Sequence, residues 1–223
     1  MKRNVKMEEI SDGKLYTAND LVKADCGDCE GCSACCRGMG SSIVLDPLDV
    51  YRLTEGLGVR FEQLLVEKIE LNVVDGIILP NLKMGGAKEC CAFLNEEGRC
   101  SIHGIRPGIC RLFPLGRFYE NGSFQYFLQI HECKKENRTK VKVKKWIDTP
   151  DLKSYEAFVS QWHYFLLDIQ EKFLKIEEEK IKSVNMFLIQ SFYLEPYNKE
   201  EDFYSQFTKR LEKVKKTLET ILD

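Results

Sequence analysis

Apolar residues recur every three or four positions through the last third of the chain. Tyr155, Phe158, Trp162, Phe165, Ile169, Phe173 and Ile176 trace one helical face over about six turns. Ile181, Val184, Leu188 and Phe192 continue the pattern in a second helix, which Pro196 ends. Phe203, Phe207, Leu211, Val214, Leu218 and Ile221 define a third, and Asn198 with Glu201 predicts its capping box. Upstream the pattern is shorter and mixed. Leu71–Val74, Asp75-Gly76 and Ile77–Leu79 predict a hairpin, because Asp-Gly suits a type I′ turn. Arg117–Tyr119, Asn121-Gly122 and Phe124–Leu128 predict another. Ser42–Leu45 reads as a short strand, and Asp46-Pro47 as a helix start with Asp as N-cap and Pro at the first helical position. That helix ends near Gly56–Gly58, and a second runs from about Phe61 to Ile69. Asn19–Val22 carries a faint amphipathic signal that predicts one short helix.

The expected fold class is α+β. A loosely attached lead-in over residues 1–25 precedes a small cysteine-rich metal-binding domain of short strands and helices over 26–148. An α-helical C-terminal region follows over 149–223, and its apolar stripe leaves a homodimer through these helices open.

Composition narrows the function classes. The chain has 223 residues, 43% apolar and 30% charged, with a formal net charge of −2. That balance gives no global reason to expect nucleic acid or an anionic membrane. The basic run Lys134–Lys145 alternates at Lys140-Val141-Lys142-Val143-Lys144, which fits an edge strand shielded by lysines better than a nucleic-acid surface. No apolar stretch reaches a membrane span, and the charged N-terminus is not followed by a signal-peptide core. The expected compartment is the reducing cytoplasm, where ten cysteines act as ligands or reactive thiols rather than disulfides.

Five of those thiols fall within eleven positions, at Cys26, Cys29, Cys32, Cys35 and Cys36. Two-residue gaps assisted by glycine aim successive thiolates at one point, usually a soft metal or an iron–sulfur cluster. The others are Cys90, Cys91, Cys100, Cys110 and Cys133. A zinc ribbon would show two separate C-x2-C knuckles, whereas only the first group here has short spacing. A tight run with distant further ligands resembles an iron–sulfur layout, although ligand softness alone allows zinc as well. The radical-enzyme triplet C-x3-C-x2-C is missing, because Met39 stands where its third cysteine belongs. Neighbours such as Cys35 and Cys36 do not readily serve one metal atom, but they can serve two irons of a cluster or two sites.

Cys29-Glu-Gly-Cys32-Ser-Ala-Cys35-Cys36-Arg37 resembles the CxxCxxCC signature of the YkgJ-type cysteine-cluster family of zinc- or iron-chelating domains. A second block agrees in order: Cys91-Ala-Phe-Leu94, Gly98-Arg-Cys100-Ser-Ile102 and Arg106-Pro107-Gly-Ile-Cys110-Arg111-Leu-Phe113-Pro114. The resemblance covers about residues 26–135. Ala92 replaces the family's usual Pro, His103 its usual Tyr, and Cys26 and Cys90 are additional. The resemblance implies the ligand set Cys29, Cys32, Cys35, Cys36, Cys91, Cys100, Cys110 and Cys133, with Cys26 and Cys90 dispensable. Arg106 and Arg111 would stand outside the ligands and offset the negative charge of a thiolate centre. His131 is a further ligand candidate but reads better as an exposed residue, His103 as a loop hydrogen bonder and His163 as structural.

Three functional expectations follow. The favoured one is a 4Fe–4S cluster held by cysteines, with room for a redox role and a protein or redox partner. The alternative is a structural zinc site presenting an interaction surface. The third, implied by a relative that shares the signature, is a cluster-dependent methyltransferase like flagellin lysine N-methylase. Catalytic residues are not identifiable from the sequence.

Overall fold

The computed structural model describes residues 6–27 and 29–222; the first five residues of the lead-in lie outside them. In chain order the helices are α1 (Met7–Ile10), α2 (Pro47–Leu57), α3 (Phe61–Glu67), α4 (Gly108–Leu112), α5 (Val143–Ile147), α6 (Leu152–Phe173), α7 (Glu178–Ile189) and α8 (Phe203–Leu222). The strands are β1 (Leu21–Asp25), β2 (Ile69–Val74), β3 (Ile77–Leu82), β4 (Met84–Gly85), β5 (Cys90–Cys91), β6 (Leu115–Glu120), β7 (Ser123–Leu128) and β8 (Thr139–Lys142). The chain is α+β, with small two-stranded antiparallel sheets in its cysteine-rich part and a helical C-terminal region. No described helix is long and apolar enough to cross a membrane.

The chain divides into two compact units, one of Lys2–Ile43 and Lys83–Lys153, the other of Val44–Leu82 and Ser154–Asp223. All ten cysteines fall in the first. Residues 44–82, inside the segment expected to form the cysteine domain, group with the C-terminal helices.

In the cysteine-bearing unit the lead-in is paired rather than loose. Tyr16 and Tyr126 exchange backbone hydrogen bonds of 2.7 and 2.9 Å, and Ile130 N–H donates to the Ile10 carbonyl at 3.0 Å. The helix expected at Asn19–Val22 is not formed; Leu21–Asp25 is a strand that pairs antiparallel with β8, Val22 opposite Val141. Period-two burial decides this: Val22 and Ala24 are buried while Leu21 and Lys23 face out. Lys140 and Lys142 are exposed as an edge strand requires, but Val143 begins α5 and is fully buried. The β6–β7 turn has Asn121 and Gly122 at φ 52° and 77°, the left-handed pair of a type I′ turn.

The other unit packs aromatic helices around a hairpin. Asp46 caps α2 by accepting from Asp49 N–H at 2.8 Å, Asp49 returns the bond, and Gly58 ends the helix at φ 66°. The expected strand at Ser42–Leu45 reduces to a single bridge between Val44 and Asn81. The helix expected to reach Ile69 stops at Glu67, because Ile69 starts β2. β2 and β3 join through Asp75 and Gly76, again left-handed. α7 ends at Ile189 and passes into a π-helical turn over Gln190–Leu194. Asn198 does meet Glu201 at 2.9 Å, but the cap of α8 is Asp202, which accepts from Ser205 N–H at 2.7 Å. Asp202 wins because it directly precedes the first helical residue. The core is aromatic: Trp162 meets Phe192 at 4.9 Å and Phe158 meets Phe207 at 4.6 Å, both edge-on.

Asn185 is an unforeseen polar anchor in this core. It is 3% exposed, accepts from Ile78 N–H at 2.7 Å and donates to the Gly76 carbonyl at 3.1 Å, tying the hairpin turn to α7. Asn185→Leu strands both backbone groups and should cost about 2–4 kcal/mol. Urea unfolding should show a lower midpoint at unchanged slope; an unchanged midpoint would refute the anchor.

Candidate metal centre

The first cysteine segment is a chain of tight turns. Cys26 follows immediately on β1. Gly27 and Gly31 take φ of 66° and 63°, and Cys29 itself sits at φ 59°, where a side chain is disfavoured. Glu30 N–H donates to the Gly27 carbonyl and Cys32 N–H to the Cys29 carbonyl, each at 3.0 Å. A 3₁₀ turn over Ala34–Cys36 then reverses the chain. Thus the spacing read from the sequence becomes successive turns, each returning a thiol.

The second segment is stitched onto the first. Arg37 bridges Cys90, and Gly38 N–H donates to the Glu89 carbonyl at 2.9 Å. β5 carries Cys90 and Cys91 and pairs with β4. Cys100 is presented by a small hairpin in which Leu94 bridges Cys100 and Asn95 accepts from Arg99 N–H. The Arg99 guanidinium reaches back to the Cys29 carbonyl at 3.0 Å, and the Lys135 ammonium to the Glu30 carbonyl at 2.8 Å. Cys110 rides on α4, directly after the buried Pro107.

Electrostatics identifies which thiols share a neighbourhood. Burial pushes the Cys29 thiol up to about 12, with Cys26 and Cys32 adding to the rise and Arg106 opposing it. Cys35 is hydrogen-bonded to Cys36, and that bond, reinforced by burial and by Cys29 and Cys110, makes Cys35 hold its proton. The same bond lowers Cys36 to about 7, against burial and with help from Arg37 and Arg106. Burial raises Cys100, which also lies in the fields of Cys36, Arg106 and Arg99. Seven thiols, at 26, 29, 32, 35, 36, 100 and 110, are therefore linked, and Arg106 acts on three of them.

The remaining candidates are placed as follows. Cys91 is buried on β5, and Cys133 is half-buried in the turn after β7. Cys90 receives the Arg37 guanidinium on its sulfur. Arg111, expected beside Arg106 as a charge partner of the centre, donates to the Gly104, Arg106 and Asp148 carbonyls. His103 hydrogen-bonds the Arg106 guanidinium, His131 is exposed, and His163 lies in α6 edge-on to Tyr164. Arg37 and Arg99 escaped the sequence reading; each directly adjoins a cysteine, which is the signal that could have found them.

Among the described residues, no three His, Cys, Asp or Glu side chains are arranged to hold a metal ion. The donor set nevertheless fits one by its chemistry. It is all thiol, gathered from two segments, half-buried, and flanked by the Arg37, Arg99 and Arg106 guanidiniums. A thiophilic cation would displace protons that burial now favours.

The unequal acidities are testable on metal-free, reduced protein. At pH 7 a thiol of pKa near 7 is about half ionised, whereas one near 12 is essentially protonated. Iodoacetamide followed by mass spectrometry should label Cys36 several-fold faster than Cys29. Cys35→Ala should slow that labelling more than Arg106→Ala does. Equal rates at Cys36 and Cys29 would contradict this electrostatic picture.

No curated protein and no solved structure matches the chain. Residues 28–145, more than half of it, match the family CxxCxxCC, described as "Putative zinc- or iron-chelating domain". The matched stretch takes in nine of the ten cysteines, from Cys29 to Cys133, and leaves out Cys26. The ordered motifs, the gathered thiols and this match agree, and the chain belongs to the CxxCxxCC family of zinc- or iron-chelating domains.

Proposed function

We propose that this chain carries a cysteine-ligated iron–sulfur cluster, of the 4Fe–4S type, as an electron carrier. The observation that supports it best is the Cys35–Cys36 pair. The two neighbours interact with each other, and each meets further thiols, Cys35 those of Cys29 and Cys110 and Cys36 that of Cys100. Adjacent residues serve two metal atoms more readily than one, and a cluster offers several irons in a small space. In this reading the ligands are drawn from Cys29, Cys32, Cys35, Cys36, Cys91, Cys100, Cys110 and Cys133.

The bound cluster would supply one-electron transfer. The protein's own groups do the rest. The turns at Gly27–Cys36 aim the thiolates, and Arg37, Arg99 and Arg106 offset their negative charge, which favours the reduced state. A reducing compartment and a redox protein partner belong to the same reading. Nothing described favours methyl transfer, and that expectation is carried no further.

The test is anaerobic purification followed by visible absorption and analysis for iron, sulfide and zinc. The expected result is a brown protein with iron and sulfide in equal amounts, whose visible absorption bleaches on reduction. A colourless protein with stoichiometric zinc and no sulfide would overturn the cluster and leave a structural zinc site.

A further inference from the structure

We propose that Cys26, which lies outside the matched family stretch, is itself a ligand of the metal centre. This rests on the metal-binding reading but not on the choice between iron and zinc. The Cys26 sulfur stands 3.7 Å from that of Cys29. Four thiolates at about 2.3 Å around a tetrahedral metal stand roughly 3.8 Å apart along each edge. The two sulfurs therefore already have the separation of one edge, and a metal can bridge them without backbone movement.

That separation is held from both sides. On the Cys26 side, β1 ends one residue earlier, and Asp25 accepts from Gly27 N–H at 3.0 Å and from the Thr139 hydroxyl at 3.2 Å. Pairing of β1 with β8 fixes where that strand ends. On the Cys29 side, Arg99 holds the Cys29 carbonyl and Lys135 the Glu30 carbonyl. Gly27 between them adopts the left-handed turn that brings the two thiols to the same side. Cys26-Gly-Asp-Cys29 is thus a built C-x2-C knuckle.

Cys90, the other thiol beyond the family's usual set, lacks this geometry. Its sulfur faces the Arg37 guanidinium and, at 3.8 Å, the Lys88 carbonyl. The two additional cysteines separate accordingly, with Cys26 in the ligand set and Cys90 outside it.

The test uses the full chain, reduced and anaerobic, titrated with Co(II) against a chromophoric chelator. Thiolate-to-cobalt charge-transfer absorption reports the sulfur ligands. Cys26→Ala should weaken Co(II) binding at least tenfold and lower that absorption, Cys26→His should recover part of the affinity, and Cys90→Ala should match wild type. Circular dichroism checks that each variant folds. Should Cys26→Ala fail to fold, alkylation of the wild type decides: Cys26 should be protected when Co(II) is bound and react when it is removed. Wild-type affinity in folded Cys26→Ala, or equal Cys26 alkylation with and without metal, would overturn the inference alone. A wild-type protein that takes up no metal would overturn the metal-binding reading itself.

Discussion

Thiolates brought close together repel one another, and the cysteine-bearing unit is organised by that constraint. Half-burial removes the water that would otherwise soften the repulsion. The chain answers in two visible ways. Cys29 and Cys35 hold their protons, and each thiol lies beside another, Cys29 by Cys26 and Cys35 by Cys36. Guanidiniums stand beside them, with Arg106 acting on Cys29, Cys36 and Cys100, and Arg37 on Cys36. A thiophilic metal is the third answer and the strongest, because it bonds the sulfurs directly and turns mutual repulsion into shared coordination. The ties between segments serve the same end, since Arg99 and Lys135 spend their charges on backbone carbonyls of the first loop.

The second unit rests on different physics. It has no cysteine, and rings cluster in its interior: Trp162 contacts Phe165, Phe192 and Phe207, and Phe192 contacts Phe165 and Phe207, all edge-on or tilted. Some of its buried polar groups clamp backbone, while Asn81 bonds the Asn72 and Glu70 side chains. Asn185 holds the hairpin turn, and the Tyr193 hydroxyl donates to the Leu45 carbonyl at 3.1 Å. Arg210 lies 3.9 Å over the Tyr197 ring while donating to the Ser191 carbonyl within the π-helical turn and the Glu195 carbonyl just after it. Aliphatic side chains such as Leu45, Leu53, Ile69, Ile77 and Leu188 are buried with these rings, so this unit has a core of its own without metal.

Much of this was legible because local physics dictated it. The Asp46-Pro47 helix start, both left-handed hairpin turns and the apolar faces of α6 and α8 follow from residues within a few positions of one another. What failed depended on distant partners. Leu21–Asp25 becomes a strand only because Thr139–Lys142 lies beside it, more than a hundred residues later. The same holds for Asn185, whose partners at Gly76 and Ile78 no local window contains. In the site, spacing revealed the thiols but not their surroundings. Spacing did not reveal that Arg106 acts on Cys36 or that Arg111 holds the Arg106 carbonyl. The family's usual set leaves Cys26 out, and its 3.7 Å approach to the Cys29 sulfur could not be read from spacing.

The proposed cluster requires thiols from both segments to close around one multinuclear centre. X-ray absorption at the iron edge of the anaerobically purified chain tests it most directly. The expected result is a first shell of sulfur alone, at about 2.3 Å, with a resolved iron–iron vector behind it. A first shell of nitrogen or oxygen with no iron–iron vector would contradict it.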